Sequence, residues 1–139
     1  MDYLVLVLLC AMLCACGQAN QIEAPHEQEV KETKVQMTYE QITQDEAKTL
    51  MAESENYIIL DVRTEAEYAE GHIPGAICVP NETIGDQIPE ELPDKEQLIL
   101  VYCRSGNRSK QASEKLDKLG YTNIKEFGGI NTWTGDAEK

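Results

Sequence analysis

The residues best equipped for chemistry are consecutive: Tyr102-Cys103-Arg104-Ser105-Gly106-Asn107-Arg108-Ser109. They leave an apolar run, Gln97 to Tyr102, and enter a helix-prone stretch, Asn107 to Leu119. In an open parallel sheet, chemistry gathers where a strand ends and a helix begins. A thiol placed there feels the positive end of the helix dipole and the orphan N–H donors of the first turn. Free cysteine ionises near pH 8.5, and such surroundings lower that value by about one unit to several. Gly106 lets the backbone curl so that successive N–H groups converge. The expected product is a cradle for an anion bonded to an exposed Cys103 sulfur, built from the amides of Arg104 to Ser109. Local charge agrees with it. No Asp or Glu lies between Gln97 and Ser113, whereas Arg104, Arg108 and Lys110 are cationic. The chain as a whole carries −13. Distant carboxylates are muted over a screening length of about 8 Å in 0.15 M salt. An arginine about 4 Å away contributes roughly 1 to 4 kcal/mol.

The elements that must hold this loop follow from hydrophobic period. Thr43 and Glu46 have capping-box spacing, and Ala47, Leu50 and Met51 follow on one helical face. Tyr57 to Leu60 reads as a buried strand, Glu65 to Glu70 as a polar, helix-prone turn closed by Gly71, and Ala76 to Val79 as a second strand stopped by Pro80. Ile84 and Ile88 are spaced for another short helix. Gln97 to Tyr102 is a third strand, and Asn107 to Leu119 a helix with Ala112, Leu116 and Leu119 on one face and Gly120 at its end. Ile124 to Phe127 is a last strand before Gly128-Gly129. Strands alternating with helices over residues 37–139 indicate an α/β domain with a mostly parallel sheet.

With these blocks placed, the chain resembles the single-domain rhodanese family over nearly all of residues 37–139. The upstream hallmark is Leu60-Asp-Val-Arg63, then Glu67-Tyr68 and Gly71-His-Ile-Pro-Gly-Ala76. The downstream hallmarks are the Cys103 loop and Phe127-Gly-Gly129 with Trp133 and Gly135. One position departs: after Ala76-Ile77 the family often has Asn, and here Cys78 stands. The resemblance implies a mostly parallel, five-stranded sheet with helices on both faces. It also implies a persulfide-forming cysteine, with Asp61 and Arg63 mainly as scaffold. Cys103 and Arg108 are separated by four residues, as in rhodaneses, whereas the related cell-cycle phosphatases use a loop one residue longer.

These points define an expected function. Cys103 takes sulfane sulfur from a small anionic donor such as thiosulfate and passes it to cyanide or to a thiol, such as that of a thioredoxin-like protein. Arg104, Ser105, Gly106, Asn107, Arg108 and Ser109 bind the donor and the persulfide, with Arg104 and Arg108 holding its sulfonate. No general base and no metal or organic cofactor are called for. The competing classes are a phosphatase or arsenate reductase using the same thiol, and a non-catalytic module that carries sulfur. Among the other candidates, Asp61, His72 and Trp133 read as structural. Cys78 reads as a buried strand thiol, with resolution of a Cys103 persulfide as its sharper alternative.

The remaining cysteines are N-terminal. Cys10, Cys14 and Cys16 fall in or at the end of an apolar run from Tyr3, shorter than the roughly 18 residues that a spanning helix needs. Leu13-Cys14-Ala15-Cys16-Gly17 resembles a bacterial lipobox, although Asp2 stands where a basic residue is usual. The expectation is a lipoprotein-type signal peptide over residues 1–15, lipidation at Cys16, and a flexible polar tether over 16–36. The domain, 37–139, is then anchored by lipid in a bacterial cell envelope and faces outward, where disulfides are tolerated. The acidic balance, with a pI near 4.5, argues against nucleic-acid binding.

Overall fold

A computed structural model describes residues 36–139. The expected signal peptide, Cys16 and all of the tether but Gln36 lie outside the described residues.

Five strands form one sheet: β1 (Glu40–Gln41), β2 (Tyr57–Asp61), β3 (Ile77–Cys78), β4 (Leu98–Cys103) and β5 (Ile124–Gly129), in the order β1-β5-β4-β2-β3. Every pairing between them is parallel. Three α-helices alternate with the strands: α1 (Gln44–Glu53), α2 (Glu65–Glu70) and α3 (Asn107–Lys118). A parallel sheet must be covered on both faces, and β4 shows how that is met. Ile99, Val101 and Cys103 face one core with Ala112 and Leu116 of α3, while Leu100 and Tyr102 face a second core with Ala47 of α1, Ile73 and Phe127. The two-residue period of a strand therefore decides that Cys103 lies on the α3 side.

Helix starts are fixed by side chains at α1 and α2. Thr43 accepts from the Glu46 N–H at 3.1 Å while the Glu46 carboxylate accepts from the Thr43 N–H at 2.7 Å, and Thr64 with Glu67 repeats the arrangement. At α3 the N-cap is Gly106 in the left-handed region, φ +104°, without any side-chain cap and without an acidic residue in the first turn. The open N-terminus of α3 thus faces the end of β4.

Some expectations needed correction. Ile84 and Ile88 do not share a helix; a 3-10 turn covers Asn81–Thr83, and Ile88 is exposed. Gly85 and Pro89 disfavour helix in that segment. The fifth strand, β1, is only two residues long and forms by pairing with β5. The last strand runs on through Gly129, because a register shift opposite Val101 to Cys103 lets β5 bulge and continue.

Candidate active site: the Cys103 loop

Three elements set the position of Cys103. β4 ends on it, α3 starts three residues beyond Arg104, and the bulged end of β5 packs against the loop from the side. The approach is close. A Cβ built on Gly129 would lie 2.2 Å from the Arg104 carbonyl oxygen, so only glycine fits. That carbonyl is further tied down by the Asn131 N–H at 3.1 Å. With the Arg104 carbonyl turned toward β5, the following amides turn inward.

The sulfur receives them. The Gly106 N–H donates to Cys103 Sγ at 3.0 Å. The thiol in turn lies 3.5 Å from the Ser109 hydroxyl. Burial opposes ionisation of this thiol, but the Ser109 hydroxyl and the amides of Ser109, Gly106 and Ser105 outweigh it and hold its pKa below the ordinary value. The Cys103 sulfur therefore sits at the open N-terminus of α3, the one α-helix start that no side chain caps.

Two expectations about this loop change. Cys103 is not exposed: only 1% of the residue's surface is accessible, because the loop folds over the sulfur. The guanidinium of Arg108 is not free at the rim either. It forms a two-pronged ion pair with Glu67 of α2, at 2.8 and 2.9 Å. This pair, with the Thr64 cap, draws the Glu67 pKa down to about 2. Arg104 and Asn107 present exposed side chains. The structure thus brings together Cys103, Ser105, Gly106 and Ser109, and ties Arg108 one step away.

Asp61 and Arg63 form a separate buried network. Asp61 accepts from the backbone N–H of Arg63 at 2.9 Å, from its guanidinium at 2.7 Å and from the Tyr102 hydroxyl at 2.7 Å. Arg63 also donates to the Gly71 carbonyl, and Tyr102 Oη accepts from the Ile73 N–H. These bonds join the ends of β2 and β4 to the 71–73 turn, beneath the neighbour of Cys103. His72 stacks on Tyr68 with centroids 3.7 Å apart, and Trp133 packs against Phe127. Cys78 has its pKa pushed up to about 11, chiefly by burial. It pairs with Asp61 on one side while Tyr102 pairs with Asp61 on the other. Two strand spacings of about 4.8 Å separate its strand from that of Cys103, beyond the reach of a disulfide without backbone movement.

One buried group escaped the sequence reading. Glu126 is 3% exposed, accepts from the Ser109 hydroxyl at 2.5 Å and from the Gly128 N–H at 2.9 Å, and so stands behind the cysteine loop. The signal was present in the strand's period. Glu126 shares a face with Ile124, which belongs to the α3-side core.

Comparison with known proteins places the chain in a family. Thiosulfate sulfurtransferase PspE of Escherichia coli (strain K12) is 38% identical over 71 residues, covering 51% of this chain and 68% of that protein. A protein of Allochromatium vinosum described as "Sulfurtransferase" is 39% identical over 84 residues, covering 60% and 77%. The solved structure "rhodanese with anions from E. coli" superposes with a TM-score of 0.55 at 34% identity, covering 60% of this chain and 98% of that one. The rhodanese-like domain family matches residues 43–136, a span that runs from the cap of α1 through the cysteine loop and β5 to Asp136, beyond Trp133. On that match the chain belongs to the rhodanese-like domain family, whose sulfurtransferase members it resembles.

Proposed function

We propose that this protein transfers sulfane sulfur from thiosulfate or a similar donor to cyanide or a thiol acceptor, through a persulfide on Cys103. The observation that carries this reading is the Cys103 sulfur held at the open N-terminus of α3, with the Gly106 N–H donating to it at 3.0 Å. In the first half-reaction the Cys103 thiolate attacks the outer sulfur of thiosulfate. A new S–S bond forms, the old one breaks, and sulfite departs with the bonding pair. The persulfide anion then lies within the loop, where N–H donors favour its charge. In hydrolases one comparable donor contributes roughly 3–4 kcal/mol. In the second half-reaction an acceptor thiolate or cyanide takes the outer sulfur and returns the Cys103 thiolate.

Arg104, an exposed cation of the loop, meets the donor's sulfonate, while Ser105, Gly106 and Ser109 hold the sulfur. Asn107 opens α3 and keeps the loop short. Arg108, neutralised by Glu67 in the resting pair, holds the donor's sulfonate only when that pair opens, and loop length favours sulfur over a tetrahedral phosphate. A thioredoxin-like protein is a suitable thiol acceptor, since it offers a reactive thiolate. Thiosulfate and p-nitrophenyl phosphate assays side by side test the reading. The expected result is sulfur transfer that Cys103→Ser abolishes; turnover of the phosphate alone would overturn it.

The proposal extends to location: lipidation at Cys16, with the domain facing outward from a bacterial envelope membrane. Its support is the Leu13 to Gly17 segment. Metabolic labelling with a radioactive fatty acid should mark the wild-type protein and not Cys16→Ser; equal labelling of both would contradict it.

A further inference from the structure

A carboxyl group buried behind a nucleophilic thiol needs a physical reason, because burying an unpaired charge is costly. Glu126 is such a group. Among the cations, Lys110 of α3 lines the same cleft as Glu126, Lys125 precedes it on β5, and Arg108 adjoins Ser109 on α3. Arg108 is taken by Glu67 and Lys125 by Glu40, and no ion pair reaches Glu126 among the described residues. What does reach it are the Gly128 N–H, at 2.9 Å, and the Ser109 hydroxyl, at 2.5 Å, whose oxygen lies 3.5 Å from Cys103 Sγ. Ser109 has one hydroxyl hydrogen. The Gly106 carbonyl, at 2.9 Å, competes for it, but a carboxylate is the stronger acceptor and the nearer one.

We propose that Glu126, acting through the Ser109 hydroxyl, holds the proton that Cys103 gives up. One negative charge is then shared along the Cys103–Ser109–Glu126 chain. In the resting arrangement the Cys103 S–H donates to Ser109 Oγ, and the Ser109 O–H donates to the Glu126 carboxylate. When the thiolate forms, the thiol proton passes to Ser109 Oγ and the original hydroxyl proton passes to Glu126 Oε1. The Ser109 O–H now points at the sulfur and the protonated Glu126 donates to Ser109 Oγ. Protons balance, and no water has to enter a site in which Cys103 is 1% exposed. Glu126 is therefore a positioning residue: it acts on the reacting sulfur only through Ser109. Its presence modifies the expectation that no base serves this thiol.

This inference rests on Cys103 being the reacting thiol of the proposed function. Its test uses alkylation, which needs neither sulfur donor nor acceptor. The rate at which iodoacetamide alkylates Cys103 is followed against pH in the intact protein and in Glu126→Gln. A glutamine keeps the shape and donates to Ser109 as the protonated acid does, but removes the competing negative charge. The expected result is a midpoint lower by about one pH unit or more in the variant, with one ionisation step replacing a broader, coupled one. A midpoint unchanged or raised would overturn the proposal. Should the variant fail to fold, infrared difference spectra of the wild-type protein decide instead. Below the alkylation midpoint the fraction of Cys103 present as thiolate, read by ultraviolet absorbance, should be matched by a protonated-carboxyl band that alkylation removes; thiolate without that band, or no thiolate there, would overturn it. A persulfide that forms while the midpoint stays put would sink the relay and leave sulfur transfer standing. A midpoint that moves while no persulfide forms would do the reverse.

Discussion

At the scale of single residues, the pairing of Glu67 with Arg108 is the feature that most changes how the loop works. A two-pronged, partly exposed ion pair of this kind contributes on the order of 1 kcal/mol. Glu67 titrates well below its ordinary value when folded, because Arg108 and the Thr64 cap favour its charged form. A depressed carboxylate pKa stabilises the fold above the unfolded value, near 4.5, and that contribution is lost as pH falls toward about 2. Glu67→Gln should therefore unfold in urea with about 1 kcal/mol less stability at pH 7, and the gap to wild type should close as pH approaches 2. The same variant frees the Arg108 fork for an anionic donor. Its KM for thiosulfate should fall about threefold to tenfold, in line with about 1 kcal/mol of added binding. An unchanged KM would mean that Arg108 does not reach the donor even when released.

The elements carry a different kind of constraint. β2, β4 and the 71–73 turn are tied by Asp61, Arg63 and Tyr102, all buried. Replacing both charges by apolar groups need not be harmful, but removing one leaves the other uncompensated, at a cost of about 3–5 kcal/mol. Asp61→Ala should lose stability in that range by urea denaturation, and a loss under 1 kcal/mol would contradict the account of the network. Much of this scale was legible in the sequence. The Thr43 cap, the apolar run into Cys103 and the glycine after α3 all sit where local chemistry alone puts them, while the Thr64 cap has the same spacing and went unread. The two-residue β1 was not legible, since Glu40 and Gln41 show no apolar alternation and become a strand only through β5. Nor was the failure of the Ile84–Ile88 spacing to make a helix, because period counts missed what Gly85 and Pro89 do to the backbone.

For the molecule as a whole, the two cores and the site are one arrangement. The face that β4 presents to α3 places Cys103 beneath an open helix N-terminus, and the β5 bulge presses the loop into shape from the other side. The cysteine, its glycine and Ser109 could be read from their order along the chain. The Glu67–Arg108 and Ser109–Glu126 contacts could not, because 41 and 17 residues separate those partners and only the folded sheet brings them together. The net charge of −13 made the loop's own cations the natural focus, yet one of them is neutralised by a carboxylate from α2. Everything then depends on whether the sulfur in that loop accepts a second sulfur. Mass spectrometry of the intact protein after thiosulfate treatment measures this directly. The account predicts the mass of one added sulfur, located on the Cys103 peptide and removed by cyanide. An unmodified Cys103, or a sulfur carried on Cys78 instead, would contradict it.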